Sequence, residues 1–465
     1  MQRKQFLKLA TLAPLGLYAA RFSNLYRVEK GPNADYFKKG DAPYESLRQG
    51  FNKRIDRYPA IIALCKNTAG VAEAVKYAAA NKLQVTVKSG GHCMEGFSVN
   101  DNGMVINLSL LNTITWVDKE TIEVGPGCKL AELYNEILPK GRVIPGGSCA
   151  TVAVGGLVLG GGYGLLARKL GLTCDSLVEL TMVDGNGNIV STNTDKELLW
   201  ACKGGGNGNF GVITSLRFKT HAAPKTMQSV RFKTYKTDVA KATNILKTWF
   251  EAAALLPPSC FSAYVLNGKT AYILLTNTEK NNAAVEKVIG MLSAVSAKTT
   301  KTTPQPLAKA LKVYYGKTSP LYFKNASAGL YKNYSDIAAF AEKVIAMVQS
   351  SPGMIYQVNT LGGNIINATK ESEAAFPHRA FPFFSELQTY WEQPAQGKKL
   401  QEKFEMVQQL FAANGITAQY RNYPDINFSN WQSAYYGSQY QRLQQVKKKY
   451  DPNNIISHSQ SIRLP

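Results

Sequence analysis

The chain runs to 465 residues, too long for one ordinary core and long enough for two. Its 45% hydrophobic and 18% charged residues, with no long low-complexity tract, exclude a disordered or fibrous protein. The formal charge of +22 is spread along the chain. That pattern favours solubility and diffuse attraction to anionic surfaces, and predicts no nucleic-acid partner.

In chain order, residues 1–20 read as an export signal. Arg3 and Lys4 precede Gln5-Phe6-Leu7-Lys8, and an apolar stretch follows from Leu9 to Ala20, broken by Pro14. It is too short and too interrupted to span a bilayer, and no other segment is apolar enough, so no stable membrane insertion is expected. Arg-Lys-x-Phe-Leu-Lys is similar to a twin-arginine signal with Lys in the second place, which implies a periplasmic or extracellular protein that folds before export. Ala60–Leu64 is predicted as a strand. Thr68 is expected to cap a helix with Val71, Val75 and Ala78 on one face. Gln84–Lys88 reads as a strand running into Ser89-Gly90-Gly91-His92. Thr194 and Glu197 have capping-box spacing for a short helix ending at Cys202. After Pro224 glycine thins out. Helices near 238–254, 279–297, 335–350 and 398–414 alternate with strands near 227–235, 261–276, 354–366 and 383–391, an α+β pattern of helices on an antiparallel sheet. Residues 298–306 read as a linker or surface loop. A helix from about Ser429 to Tyr450 follows, carrying the basic run Lys447-Lys448-Lys449 on a surface.

The seven cysteines (Cys65, Cys93, Cys128, Cys149, Cys174, Cys202, Cys260) and four histidines (His92, His221, His378, His458) show none of the usual metal-ligand spacings, so no metal site is expected. The odd count leaves at least one cysteine without a disulfide partner in the chain. Glycines cluster at Gly90-Gly91, at Gly155-Gly156 with Gly160-Gly161-Gly162-Tyr163-Gly164, and at Gly204-Gly205-Gly206 with Gly208 and Gly211. Such loops bring backbone close to a ligand, and their N–H groups form anion nests. Gly206-x-Gly208-x-x-Gly211 spells a dinucleotide fingerprint, but a helix precedes it and the strand Val212–Lys219 follows, the reverse of what that motif needs.

The segment Val87-Lys88-Ser89-Gly90-Gly91-His92-Cys93-Met94-Glu95-Gly96-Phe97-Ser98 resembles the flavin-attachment loop of the vanillyl-alcohol oxidase / p-cresol methylhydroxylase superfamily. Gly146-Gly147-Ser148-Cys149, running on to Gly160-Gly161-Gly162-Tyr163-Gly164, is similar to its berberine-bridge-enzyme-like branch. So are Tyr420-Arg421-Asn422-Tyr423-Pro424-Asp425, Tyr435-Tyr436-Gly437 and Lys449-Tyr450-Asp451-Pro452-Asn453. The pattern covers residues 45–465. It implies a two-domain flavoprotein: an FAD-binding domain at 30–222, a substrate-binding domain at 223–415, and a C-terminal segment at 416–465 that completes the first.

The resemblance also implies FAD held by two bonds, from His92 to the flavin 8α carbon and from Cys149 to C6. Further cofactor contacts fall on Val87, Lys88, Ser89, Gly90, Gly91, Cys93, Met94 and Ser98 of the attachment loop. Others fall on Gly147, Val152, Gly156, Gly160, Gly161, Gly162 and Gly164, then on Gly211, Ile213 and Asn422. Imidazole and thiolate are the side chains suited to such bonds near neutral pH. Hydride passes to flavin N5 while a base takes the proton of the substrate hydroxyl. By resemblance Tyr423 is that base, provided a neighbour lowers its pKa, and Glu386 is a second candidate. Tyr163 and Tyr390 read as wall aromatics. Met94 stands where many plant relatives carry Tyr, which argues against a plant alkaloid substrate. The expected activity is oxidation of an alcohol or lactol carbon of a sugar, oligosaccharide or polyol, with oxygen or another acceptor taking the electrons. A glycosylated or aromatic natural product is the alternative substrate. A non-catalytic, basic flavin-binding surface protein is the alternative from another class.

Overall fold

The computed structural model describes residues 29–465, so the export signal read at 1–20 lies outside the described residues. The strands Ile61–Cys65, Met104–Asn107 and Val85–Lys88 are parallel neighbours in that order, and the helix Thr68–Ala80 makes the crossover between the first and last. Val71, Val75 and Ala78 are fully buried against the sheet, as their spacing predicts. The cap is Asn67 rather than Thr68. Its backbone is extended and its side chain accepts the Gly70 N–H at 2.9 Å, while Thr68 is already helical. Ala34–Phe37 and Glu29–Lys30 continue this sheet with antiparallel strands.

A second sheet is wholly antiparallel, in the order Ile189–Ser191, Leu177–Asp184, Gly211–Lys219, Thr121–Val124, Ile114–Trp116. The helix Lys196–Cys202 precedes Gly211–Lys219, so the glycine fingerprint is correctly set aside. Asp195 caps that helix by accepting the Leu198 N–H at 3.0 Å. The box expected from Thr194 and Glu197 does not form, because Glu197 turns out to pair with Arg442 at 2.6 Å.

The third sheet is antiparallel, in the order Lys298–Lys301, Thr226–Thr234, Thr270–Asn277, Cys260–Asn267, Met354–Thr360, Phe383–Trp391, Tyr322–Tyr331. The stretch predicted as one strand near 261–276 is a hairpin turning at Gly268, whose φ is +52°. The supposed linker at 298–306 starts with an exposed edge strand of Lys and Thr, a composition that blunts a sheet edge. Helices Val239–Ala253, Ala283–Ala294, Ala341–Gln349 and Pro394–Ala413 cover one face, packing Trp249, Phe250 and Phe404 on Phe232, Tyr264 and Tyr356. Side chains alternate along Phe383–Trp391. Phe383 and Leu387 enter that helix-side core, whereas Phe384 joins the core beneath the other face. Glu386 and Tyr390 share the side of Phe384.

The last stretch ties the pieces together. Residues 418–423 run beside the edge strand Tyr322–Tyr331, with Ser327 N–H donating to Tyr423 O at 2.9 Å and Leu330 N–H to Ala418 O at 3.2 Å. The helix expected from Ser429 to Tyr450 is divided at Gly437, φ +50°, into Trp431–Tyr436 and Tyr440–Tyr450. Lys447 is not on the surface. It is fully buried, pairs with Asp451 at 2.6 Å and donates to Asn209 O and Ile456 O, each at 2.7 Å. Among the described residues no helix is long and apolar enough to cross a membrane, and no group of residues is placed to hold a metal.

Candidate active site

The loop that leaves Val85–Lys88 turns at Gly91, whose φ is +69°, and its carbonyl accepts the Phe51 N–H at 2.9 Å. His92 is thereby laid on Phe51, with ring centres 4.2 Å apart and 21° between planes. Its Nε2 lies 3.0 Å from Thr151 Oγ1. Burial pushes its pKa down to about 4, so the imidazole is neutral near pH 7. Cys149 lies on a second loop, held by the Ala150 N–H donating to Tyr315 O at 3.1 Å. It is a free, exposed thiol. The surrounding protein and the Glu386 carboxylate push its pKa up.

Both residues face one cavity of about 800 Å³. Its wall also includes Val87, Ser89, Gly90, Gly91, Cys93, Met94, Ser98, Gly147, Val152, Gly156, Gly211, Ile213, Asn422 and Tyr423. Lys88, Gly160, Gly161, Gly162, Gly164 and Glu386 stand behind it. Lys88 points away from its neighbour Val87 and buries Nζ at 2.5 Å from Leu47 O. The glycine run 160–164 is a close crossing of segments. A Cβ on Gly160 would lie 2.1 Å from Asn422 Oδ1, and one on Gly164 2.1 Å from Gly146 O. Among the described residues, the N–H groups of Gly90, Gly91, His92 and Cys93 meet no protein acceptor, nor do those of Asn207 and Gly208. Two rows of free donors on a largely apolar wall suit a phosphate-bearing cofactor with a flat ring.

The sheet face supplies the remaining wall. Asn325 Nδ2 donates to Tyr390 Oη at 2.8 Å, and Tyr390 Oη donates to Gln388 Oε1 at 3.1 Å. Tyr423 packs on Tyr420 and Phe384, with ring centres 5.1 and 5.8 Å away. Burial, then the negative charge of Glu386, holds its pKa well above 10.0. The lowering expected of a catalytic tyrosine is therefore absent. Arg421 does not provide it, because its Nε turns to Tyr436 Oη at 2.9 Å. Glu386 has moved the useful way: burial raises its carboxyl from 4.5 to about 7. Tyr163 is on the cavity wall with its hydroxyl buried and, among the described residues, without a hydrogen-bond partner. Reading it as a wall aromatic missed that polar end. Asn325 was missed because small residues in Ala326-Ser327-Ala328-Gly329 conceal its strand.

The FAD binding domain family matches residues 59–193, and the berberine and berberine-like family matches residues 419–463. An uncharacterized FAD-linked oxidoreductase of Bacillus subtilis, YgaK, is 31% identical over 91% of this chain and 95% of its own length. The chain belongs to the berberine-bridge-enzyme-like FAD-linked oxidoreductases. Another relative, a chitooligosaccharide oxidase of Gibberella zeae, is 27% identical over 91% of each chain. The solved aclacinomycin oxidoreductase superposes with a TM-score of 0.85 at 24% identity, covering 93% of this chain and 100% of that one, and shares the fold. In this berberine-bridge-enzyme-like oxidoreductase the FAD-binding match contains His92 and Cys149, and the berberine-like match contains Asn422, Tyr423 and His458. The two matched stretches thus meet across one cavity.

Proposed function

We propose that the protein oxidises an alcohol or lactol carbon of a sugar, oligosaccharide or other polyol, using FAD tethered to both His92 and Cys149. FAD supplies the hydride acceptor. The reading rests above all on Glu386, a buried carboxyl titrating near neutrality on the sheet face that carries Tyr390. Tyr423 meets the substrate hydroxyl, and Glu386 behind it holds the departing proton. Tyr423 alone is a weak candidate for the base, because its neutral form is so strongly favoured. A carboxyl near 7 is half ionised at working pH and suits that task. Asn325 and Tyr390, with Gln388 accepting from Tyr390 Oη, form a polar and aromatic stretch of wall that can receive hydroxyls. The chitooligosaccharide oxidase among the relatives supports the same substrate class.

For the tethers, His92 is neutral. In the tautomer whose Nε2–H donates to Thr151 Oγ1, the Nδ1 lone pair is left for the 8α bond. Cys149 Sγ is open to the cavity and free of any disulfide. The test is an anaerobic screen of flavin reduction with oligosaccharides, simple alcohols, phenolic alcohols and glycosylated aromatics. Reduction by sugars, abolished in Tyr423→Phe and slowed in Glu386→Gln, is expected. Reduction only by the aromatic aglycones would replace the sugar reading, and reduction by none would refute an oxidase acting on alcohols.

A further inference from the structure

Arg421 is a buried cation, 4% exposed, on the wall of the cofactor cavity. Its Nε donates to Tyr436 Oη at 2.9 Å, and the guanidinium lies 5.7 Å from the ring centre of Phe97 and 5.4 Å from that of Tyr435. Its remaining near neighbour is His458, with Nη2 3.3 Å from Nε2. That nitrogen is a poor acceptor. The Gln460 N–H donates to His458 Nδ1 at 3.2 Å, which leaves the proton of the neutral ring on Nε2, facing Asn207 O at 3.1 Å. Burial and the charge of Arg421 hold that ring well below its ordinary 6.5, so it stays neutral.

Among the other buried cations, Lys324 is matched by Glu95 and Asp425, Lys447 by Asp451 and Arg379 by Asp175, whereas Lys88 and Arg168 spend their donors on backbone carbonyls. Arg421 has neither a carboxylate nor a carbonyl partner among the described residues. Burying a guanidinium with unused donors is costly unless an anion meets it. The free N–H groups of Gly90 to Cys93 and of Asn207 and Gly208 open on the same cavity. Arg421 also feels Cys93 electrostatically, so it stands near the first of those rows.

We propose that Arg421, steered by Tyr436 and His458, is the counter-ion for the diphosphate of FAD and joins the backbone N–H rows in holding it. The assignment rests on the FAD site described above and adds to it a residue that discriminates by phosphate. The test uses the full chain carrying His92→Ala and Cys149→Ala, stripped of flavin, with dissociation constants for FAD and for riboflavin read by flavin fluorescence. Arg421→Met in that background is expected to weaken FAD about ten- to a hundredfold while leaving riboflavin, which has no phosphate, within about twofold. Arg421→Lys keeps the charge and is expected to recover part of the preference for FAD. Inorganic diphosphate should raise the melting temperature of the flavin-free parent and of Arg421→Lys, but not of Arg421→Met. Equal weakening of both flavins would make Arg421 a structural residue and overturn the proposal, as would unchanged FAD affinity. A parent that binds neither flavin would overturn the FAD site itself along with it.

Discussion

Replacing Glu386 with Gln separates what the buried carboxyl does for catalysis from what it costs the fold. Burial moves this group from 4.5 to about 7, and it is only 8% exposed. A difference of that size corresponds to roughly 3 kcal/mol between its charged and neutral forms. The folded protein keeps the proton where the unfolded chain has lost it. Stability therefore falls as pH rises from 4.5 towards about 7 and is flat beyond. Glutamine cannot ionise, so Glu386→Gln should escape that loss: its melting temperature should exceed that of the wild type at pH 8 and match it near pH 4. Catalysis should move the other way. Wild-type flavin reduction at saturating substrate, followed by anaerobic stopped flow between pH 5 and 9, should rise with one proton released near 7 and then level off. The variant should lose about a hundred- to ten-thousandfold in that rate, together with the inflection. A variant that kept the inflection near 7, or reduced its flavin within about threefold of the wild type, would refute Glu386 as the proton acceptor.

Acid denaturation of the purified protein should leave the flavin on peptides containing His92 and Cys149, and Cys149→Ala should leave it on the His92 peptide alone, both read by peptide mass mapping. Because the Cys149 thiol is pushed above its ordinary 9.0, attachment at C6 in apoprotein reconstituted with FAD should quicken as pH rises from 7 to 9, read by the yield of the Cys149 adduct. Lys324→Met leaves Glu95 and Asp425, whose oxygens lie 2.5 and 2.6 Å from its Nζ, buried without that counter-ion. It should cost about 3–5 kcal/mol in denaturant melts, with most of the loss recovered when Glu95→Gln and Asp425→Asn are added. Gly164→Ala should prevent soluble expression or sharply lower the melting temperature, since its methyl would lie 2.1 Å from Gly146 O.

The α+β pattern was legible because it rests on periodicity. Val71, Val75 and Ala78 announce a helix, and the alternation around Gln84–Lys88 a strand, whatever surrounds them. Caps were less legible, since Asn67 beside Thr68, and Asp195 beside Thr194, offer competing cap acceptors one residue apart, and the stronger of each pair takes the position. The edge strand Tyr322–Tyr331 escaped because residues 418–423 bury it, so its small residues carry no alternation. In the site, His92, Cys149 and Tyr423 were legible as motif positions. The partners that set their chemistry come from distant segments: Phe51 under His92, Glu386 near both Cys149 and Tyr423, Thr151 at the imidazole nitrogen. The run Gly160 to Gly164 was read as a cradle from its glycine content and from the family resemblance, although the same glycines serve equally well where two segments cross.

The buried bonds of Lys447 to Asn209, Asp451 and Ile456, with His458 on the cavity wall, have a consequence for how the protein is made. A ribosome delivers Phe51, His92 and Cys149 early, but the wall they face is closed by residues that follow some hundreds of positions later, His458 among them. Cofactor capture must then wait until residues 447–458 have been made and have folded back onto the earlier ones. A nascent chain halted before residue 447 would carry both His92 and Cys149 and yet remain colourless.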